Sequence, residues 1–224
     1  NYANEEAHLY LDEIRSLLFR GKQKEAEDLA MEKFMSVPLR QKAYQPFGDV
    51  LIEFENHNNY TNYYRELDLE NAICRTTYSI DQTKYTREVF ASYPDDVVVI
   101  HLQSEGASNM IFSVGMTSPH EQNSVQVKDG LLIMDIVVED GGMKGQSQLM
   151  VTSDGNITVQ NNRISVDQAD GATIYLTART NFIKYDELSE YPLPRNFNAL
   201  NNRNYEEIKQ KHIADFQSLF NRFS

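Results

Sequence analysis

Tryptophan is absent and cysteine occurs once in the 224 residues. Without tryptophan the chain lacks the largest aromatic platform for stacking a ligand. A lone Cys74 cannot close an internal disulfide, and no thiol cluster offers metal-ligand spacing. Lying among Ala72, Thr76 and Tyr78 in an alternating run, it reads as a small strand residue. The five histidines, His8, His57, His101, His120 and His212, are too scattered to place two on one ion, so neither metal nor cofactor is expected. No stretch approaches the ~18 apolar residues that cross a bilayer, and no basic segment leads into an apolar one at the start. Basic residues are also short: 21 Lys and Arg face 33 Asp and Glu, for a formal charge of -12. Such a surface repels phosphate backbones, which sets nucleic acid aside as a partner.

What is present is a long pattern of two periods. Ala7, Leu11, Ile14 and Leu18 recur on one helical face, with Gly21 as a left-handed stop. Ala26, Leu29, Ala30 and Phe34 repeat that spacing from about Lys24 to Met35, ahead of Pro38. Residues 1–40 are therefore expected to form a helical hairpin belonging to a sandwich domain.

Between Gly48 and Arg179 the period becomes 2. Val50, Ile52 and Phe54 alternate with polar neighbours, and strands follow at 64–69, 72–80 and 85–91, the last two joined by a tight turn at Asp81-Gln82. The dense apolar runs 97–102 and 131–138 suit strands covered on both faces, the first near a sheet centre. Met110 to Met116, the hairpins marked by Gly141-Gly142 and Asp154-Gly155, and 172–178 bring the expected total to about ten strands. So many strands without interleaved helices predict a mainly β fold: a large antiparallel β-sandwich of two packed sheets over residues 41–183. Residues 184–224 read as a surface linker containing Pro192 and Pro194, then a final helix. Its stripe of Tyr205, Ile208, Phe216, Leu219, Phe220 and Phe223 is too apolar to stand alone in water.

The segments Tyr44-Gln45-Pro46-Phe47-Gly48-Asp49, 64–69 (YRELDL), 85–92 (YTREVFAS) and Ser118-Pro119-His120 together resemble the N-terminal domain of glycoside hydrolase family 95, known chiefly for α-L-fucosidases. The ends agree with this. Leu17-Leu18-Phe19 with Gly21-Lys22 and Glu25-Ala26 is similar to the family's early helical pair, and His212, Asp215, Phe216, Gln217, Leu219, Phe220 and Arg222 to its linker helix. The resemblance implies a bacterial, periplasmic or secreted enzyme that removes terminal α-L-fucosyl or α-L-galactosyl residues with inversion. Its acid and base groups belong to a catalytic α/α barrel of the same parent chain, beyond Ser224. No catalytic residue is carried over, and the chain alone is expected to be inactive. The family's first strands would precede Asn1, which leaves a sheet edge open or covered by another molecule.

Several constellations carry two readings. Tyr44 and Gln45 are candidates for a surface facing the barrel or substrate, although Pro46 and Gly48 equally suit a turn into the first strand, with Tyr44 capping the core. His120, in a loop, is a candidate for the same surface or a structural residue. Asp95 with Asp96, and Glu139 with Asp140, are poor acid–base pairs, since neighbours on a strand point apart and pairs in turns are solvated. Tyr60, Tyr63 and Tyr64 could stack on sugars, but alternation would bury some of them. Asn59-Tyr60-Thr61 and Asn156-Ile157-Thr158 fit glycosylation acceptors. The alternatives to an enzyme part are a stand-alone carbohydrate-binding or adhesion sandwich and a helical-repeat interaction protein. The latter is disfavoured, because such repeats need at least ~3 units and one is visible.

Overall fold

The computed structural model describes residues 4–37, 39, 43–139, 142–184, 187–192 and 204–223. Pro38, Asp140, Gly141, Pro194 and most of the expected linker lie outside them. The chain divides into two compact units, Asn1–Gln45 and Pro46–Ser224.

In the first unit α1 (Ala7–Phe19) is followed by α2 (Gln23–Leu29), which runs on into a π-helical turn over Ala30–Phe34. Gly21 takes φ 72°, so the Gly21 and Lys22 amides turn back onto the Leu18 and Leu17 carbonyls at 3.0 and 2.9 Å. This is the stop expected from its position, and it satisfies carbonyls the helix end would otherwise orphan. The buried leucine is Leu17 and not Leu18, because the hairpin closes around Leu17 and Ala26.

The second unit is a two-sheet antiparallel sandwich. In the smaller sheet, strands lie in the order β1 (Asp49–Phe54), β6 (Met110–Thr117), β11 (Arg163–Ala169) and β10 (Asn156–Gln160). The larger has the order β2 (Thr61–Asp68), β3 (Ile73–Ile80), β4 (Thr83–Ser92), β5 (Val97–Glu105), β12 (Gly171–Thr180), β9 (Lys144–Ser153), β8 (Leu131–Val137) and β7 (Gln122–Lys128). A short hairpin, β13 (Phe182–Lys184) with β14 (Glu187–Leu188), follows, and helix α3 (Tyr205–Phe220) with a 3-10 turn over Asn221–Phe223 ends the described chain. Asp81 at φ 50° makes the expected tight turn between β3 and β4. The count exceeds the expectation because β7, with Ser124, Gln126 and Lys128 among its residues, has too little apolar character to read as a strand.

Phe112, Val114, Leu102, Leu132, Leu149, Ile164 and Ile174 fill the space between the sheets. A second apolar cluster sits on the opposite face of the larger sheet, where Ile73, Phe90, Val97, Val99 and Tyr175 meet Ile208 of α3. The central strand β5 therefore serves both, with Leu102 facing one cluster and Val97 and Val99 the other. Its near-continuous apolar run has this cause. Phe112, 2% exposed and in ring contact with Phe54 at 5.3 Å, is a keystone of the inner cluster. Phe112→Ala is expected to cost about 3–5 kcal/mol. Urea unfolding should show this as a lower midpoint, and a midpoint within a few tenths of a molar of the parent's would contradict the packing role.

Candidate functional site

Helix α3 is held to the larger sheet by polar ties as well as by area. Glu88 of β4 faces outward beneath it, and its side chain is only 8% exposed. Arg75 of β3 grips one carboxylate oxygen through Nε at 2.9 Å and Nη2 at 2.7 Å. Its Nη1 reaches Glu66 of β2 at 3.1 Å. From the helix, Lys209 Nζ donates to the other Glu88 oxygen at 2.6 Å, and the Tyr205 hydroxyl donates to the same oxygen. Burial alone would raise this carboxyl's pKa, but the bonds from Lys209, Tyr205 and Arg75 outweigh it and hold the group at about 2. Burial, and then the bond to Glu88, push the Tyr205 hydroxyl up, so it remains a donor. The Tyr205 ring stacks on His101 at 3.8 Å, and His101 Nδ1 is 2.9 Å from Thr173 Oγ1. Burial lowers the His101 pKa, so the ring is neutral where it stacks.

Further along, Lys211 donates to Asp95 at 3.0 Å, and Asp95 also accepts from Ser92 at 3.0 Å. His212 stacks on Phe90 at 4.8 Å, with Nε2 at 3.1 Å from the Asn71 carbonyl in the β2–β3 turn. Gln217 donates to the Asn71 side chain at 3.0 Å. Beyond that point apolar cover ends. Phe216 and Phe220 stack at 5.4 Å, and Leu219 and Phe220 remain exposed, 53% and 42%. Of the expected stripe, Tyr205 and Ile208 pack against the sheet, joined by Ile213, while the side chain of Phe223 lies outside the described residues.

The residues singled out from sequence have distinct settings. Tyr44, closing the helical unit, is wholly exposed and so does not cap a core; Gln45 beside it is exposed as well. The capping role falls to Phe47, whose ring packs on the inter-sheet cluster against Gly145, where any side chain would collide with it. His120 Nε2 lies 3.0 Å from the Pro46 carbonyl, and Ser118 Oγ donates to the Phe47 carbonyl at 2.8 Å. That loop thus fastens the entry into β1. Asp95 is taken up by Lys211 and Ser92, and Asp96 by Arg179. Glu139 is described without Asp140. Among the described residues no group of three or more His, Cys, Asp or Glu is gathered to hold a metal ion.

Besides the Glu88 clamp, sequence reasoning missed two further features. Tyr60, Tyr63 and Tyr64 are all exposed, contrary to the expectation that alternation buries some, because β2 is an edge strand with a register shift between Thr61 and Tyr64. Asn62 sits in that shift at φ 53°, and Tyr63 lies against Tyr60 at 5.6 Å. Next to them Arg87 Nη2 donates to the Tyr78 hydroxyl at 2.8 Å, which in turn lies 2.7 Å from His57 Nδ1. Burial and then the Arg87 charge lower the His57 pKa, so the ring is neutral at pH 7. Only the clustering of aromatics at 54–64 hinted at this corner.

Residues 1–185 match the domain described as Glycosyl hydrolase family 65, N-terminal domain. The chain belongs to that family. It is 28% identical over 261 residues to Alpha-L-fucosidase 2 of Arabidopsis thaliana, a match covering 100% of this chain and 30% of that protein. It is 22% identical over 200 residues to the Probable alpha-fucosidase A of Aspergillus niger, covering 81% of this chain and 25% of that one. In structure it is similar to a putative kojibiose phosphorylase from human microbiome, with TM-score 0.54 and 10% identity over 79% of this chain and 28% of that chain. That last likeness concerns the fold alone. The chain therefore spans under a third of the length of these relatives. It is thus a glycoside hydrolase N-terminal domain related to α-L-fucosidases, as the motifs implied, although the matching family model is that of family 65 and not family 95.

The Glu88 clamp has a definite pH signature. Its folded-state pKa lies below the ordinary 4.5, so its contribution is complete above that pH and is lost as the pH falls toward about 2. Protection factors of the α3 amides, corrected for the intrinsic exchange rate at each pH, should fall over that window. Glu88→Ala, which strands Arg75 and Lys209, is expected to cost about 3–5 kcal/mol and to free α3 at neutral pH. Amides of α3 as protected in the variant as in the parent would refute the clamp.

Proposed function

We propose that this chain is the non-catalytic N-terminal domain of a family 95 glycoside hydrolase, supporting a catalytic α/α barrel that removes terminal α-L-fucosyl or α-L-galactosyl residues with inversion. The observation that carries this reading is the construction around α3: a helix clamped to the sandwich by Glu88 and Asp95, whose last turn leaves Leu219 and Phe220 uncovered. Kinship to the two fucosidases, of which the chain covers 30% and 25%, supplies the substrate class. A general acid in an inverting enzyme needs a pKa near the working pH and a partner carboxylate ~6.5–9.5 Å away. Glu88, held at about 2 beneath three donors, does not meet this requirement. On this reading residues 1–40 and 41–183 act together as the supporting domain, and 184–224 lead into the barrel.

Tyr44, Gln45 and His120 are the residues proposed to face the barrel or its substrate. Two measurements test the scheme. The purified 224-residue chain should show no turnover of an aryl α-L-fucoside, whereas the longer protein should; turnover by the chain alone would overturn its non-catalytic role. In the longer protein, exchanging Tyr44 and Gln45 for alanine should lower kcat or the melting temperature of the assembled domains. Unchanged kinetics together with unchanged melting would remove both residues from the interface.

A further inference from the structure

The exposed aromatic corner at the start of β2 has no part in holding α3; its His57 packs inward on Phe54 and Tyr85, while Tyr60 and Tyr63 are left exposed. Tyr60 and Tyr63 are 53% and 55% exposed and stand in ring contact at 5.6 Å with planes inclined by 50°. An ordinary alternating strand would not set them so. The extra residue between Thr61 and Tyr64, with Asn62 in the left-handed region, turns Tyr63 toward Tyr60, and such bulges commonly re-aim a side chain at a sheet edge. Behind them the rings continue inward. Tyr60 meets the edge of Tyr78 at 6.0 Å, and Tyr78 stacks on Tyr85 at 5.3 Å.

Polar groups at the corner are fixed in one sense. Arg87 lies over the Phe54 ring at 4.3 Å and donates to the Tyr78 hydroxyl, which lies 2.7 Å from His57 Nδ1. The buried Arg87 Nε has no hydrogen-bond partner among the described residues, and the guanidinium is taken up by Tyr78 and the aromatic faces. His57 uses Nδ1 in this chain of contacts, and its Nε2 has no hydrogen-bond partner among the described residues. Flat aromatic faces beside fixed donors and phenolic hydroxyls match a pyranose, which offers apolar C–H faces to rings and hydroxyls to rim groups. With a chain charge of -12, the surroundings favour an uncharged sugar over an acidic one.

We propose that Tyr60, Tyr63 and His57 form a contact site on the sandwich for a neutral oligosaccharide. This deepens the preceding proposal and rests on its reading of the parent as a glycan-acting enzyme, but the test does not require hydrolysis. The chain, made in bacteria so that the Asn59-Tyr60-Thr61 acceptor stays unmodified, is titrated with 2′-fucosyllactose, lactose and sodium glucuronate while the tyrosine ring resonances are followed. Saturable shifts at Tyr60 and Tyr63 with either neutral sugar are expected. Tyr60→Ala and Tyr63→Ala should each weaken binding about tenfold with melting unchanged, as both rings are exposed. Lactose binding as well as 2′-fucosyllactose would uphold the site while withdrawing support for a fucose-specific parent, which separates the two ideas. Binding of glucuronate alone, binding that survives both substitutions, or no saturable shift with any of the three would overturn the proposal.

Discussion

A carboxylate shut away from water must be met by donors, and the placement of the C-terminal helix follows from how Glu88 meets that demand. Two of its partners, Tyr205 and Lys209, come from α3 and one, Arg75, from the neighbouring strand. Apolar burial at Ile208 would hold a helix on this sheet without choosing its rotation or its position along the axis. A buried charge with paired donors penalises every register but one, since a slip strands ions beneath the helix. His101 stacked beneath Tyr205, and His212 bound to the β2–β3 turn, repeat the constraint at both ends of the docked segment. The helix thus leaves the sandwich in a fixed direction, with Phe216, Leu219 and Phe220 at its far end.

Eight strands face four, so the smaller sheet covers only part of the larger one. Opposite the inner cluster, β8, β9 and β12 carry the apolar residues Leu132, Leu149 and Ile174 that the smaller sheet buries. At the other margin β2 has no such cover, and its pattern is almost wholly exposed. A bare edge of this kind invites pairing with other chains, and natural sheets blunt it with charges and bulges. Arg65 and Glu66 supply the charge and the Asn62 shift the bulge. The same bulge that discourages a stray strand sets Tyr60 and Tyr63 side by side, so protection of the edge and presentation of the rings have one structural cause.

Much of this was legible because local pattern and tertiary environment agree where burial is complete. The alternation of Val50, Ile52 and Phe54, the doubly apolar run at 97–102 and the stop at Gly21 each follow from a single physical demand, and each lies where expected. What escaped notice depends on pairing across distance. Strand β7 is polar because it is an edge, and nothing in its own residues says which strand it joins. Leu17 and Leu18 are both leucines, and only closure of the hairpin chooses between them. Glu88 looks like one solvated strand acid among many until Arg75, Lys209 and Tyr205 are brought around it. Partners separated by over a hundred residues leave no mark in a local window. The tyrosine corner was half legible: composition showed the rings, but their exposure came from a register shift that periodicity cannot see.

The titratable groups themselves argue about where chemistry can reside. Proton transfer near neutral pH needs a group poised between its two states, usually by burial beside a like charge or in an apolar pocket. In this sandwich burial works the other way. Glu88 is shifted toward its ionised form by its donors, while His57 and His101 are shifted by burial toward their neutral forms. Each shift favours the state that serves the group's hydrogen bonds. Precise placement of α3 on the sheet is what groups held in this way provide.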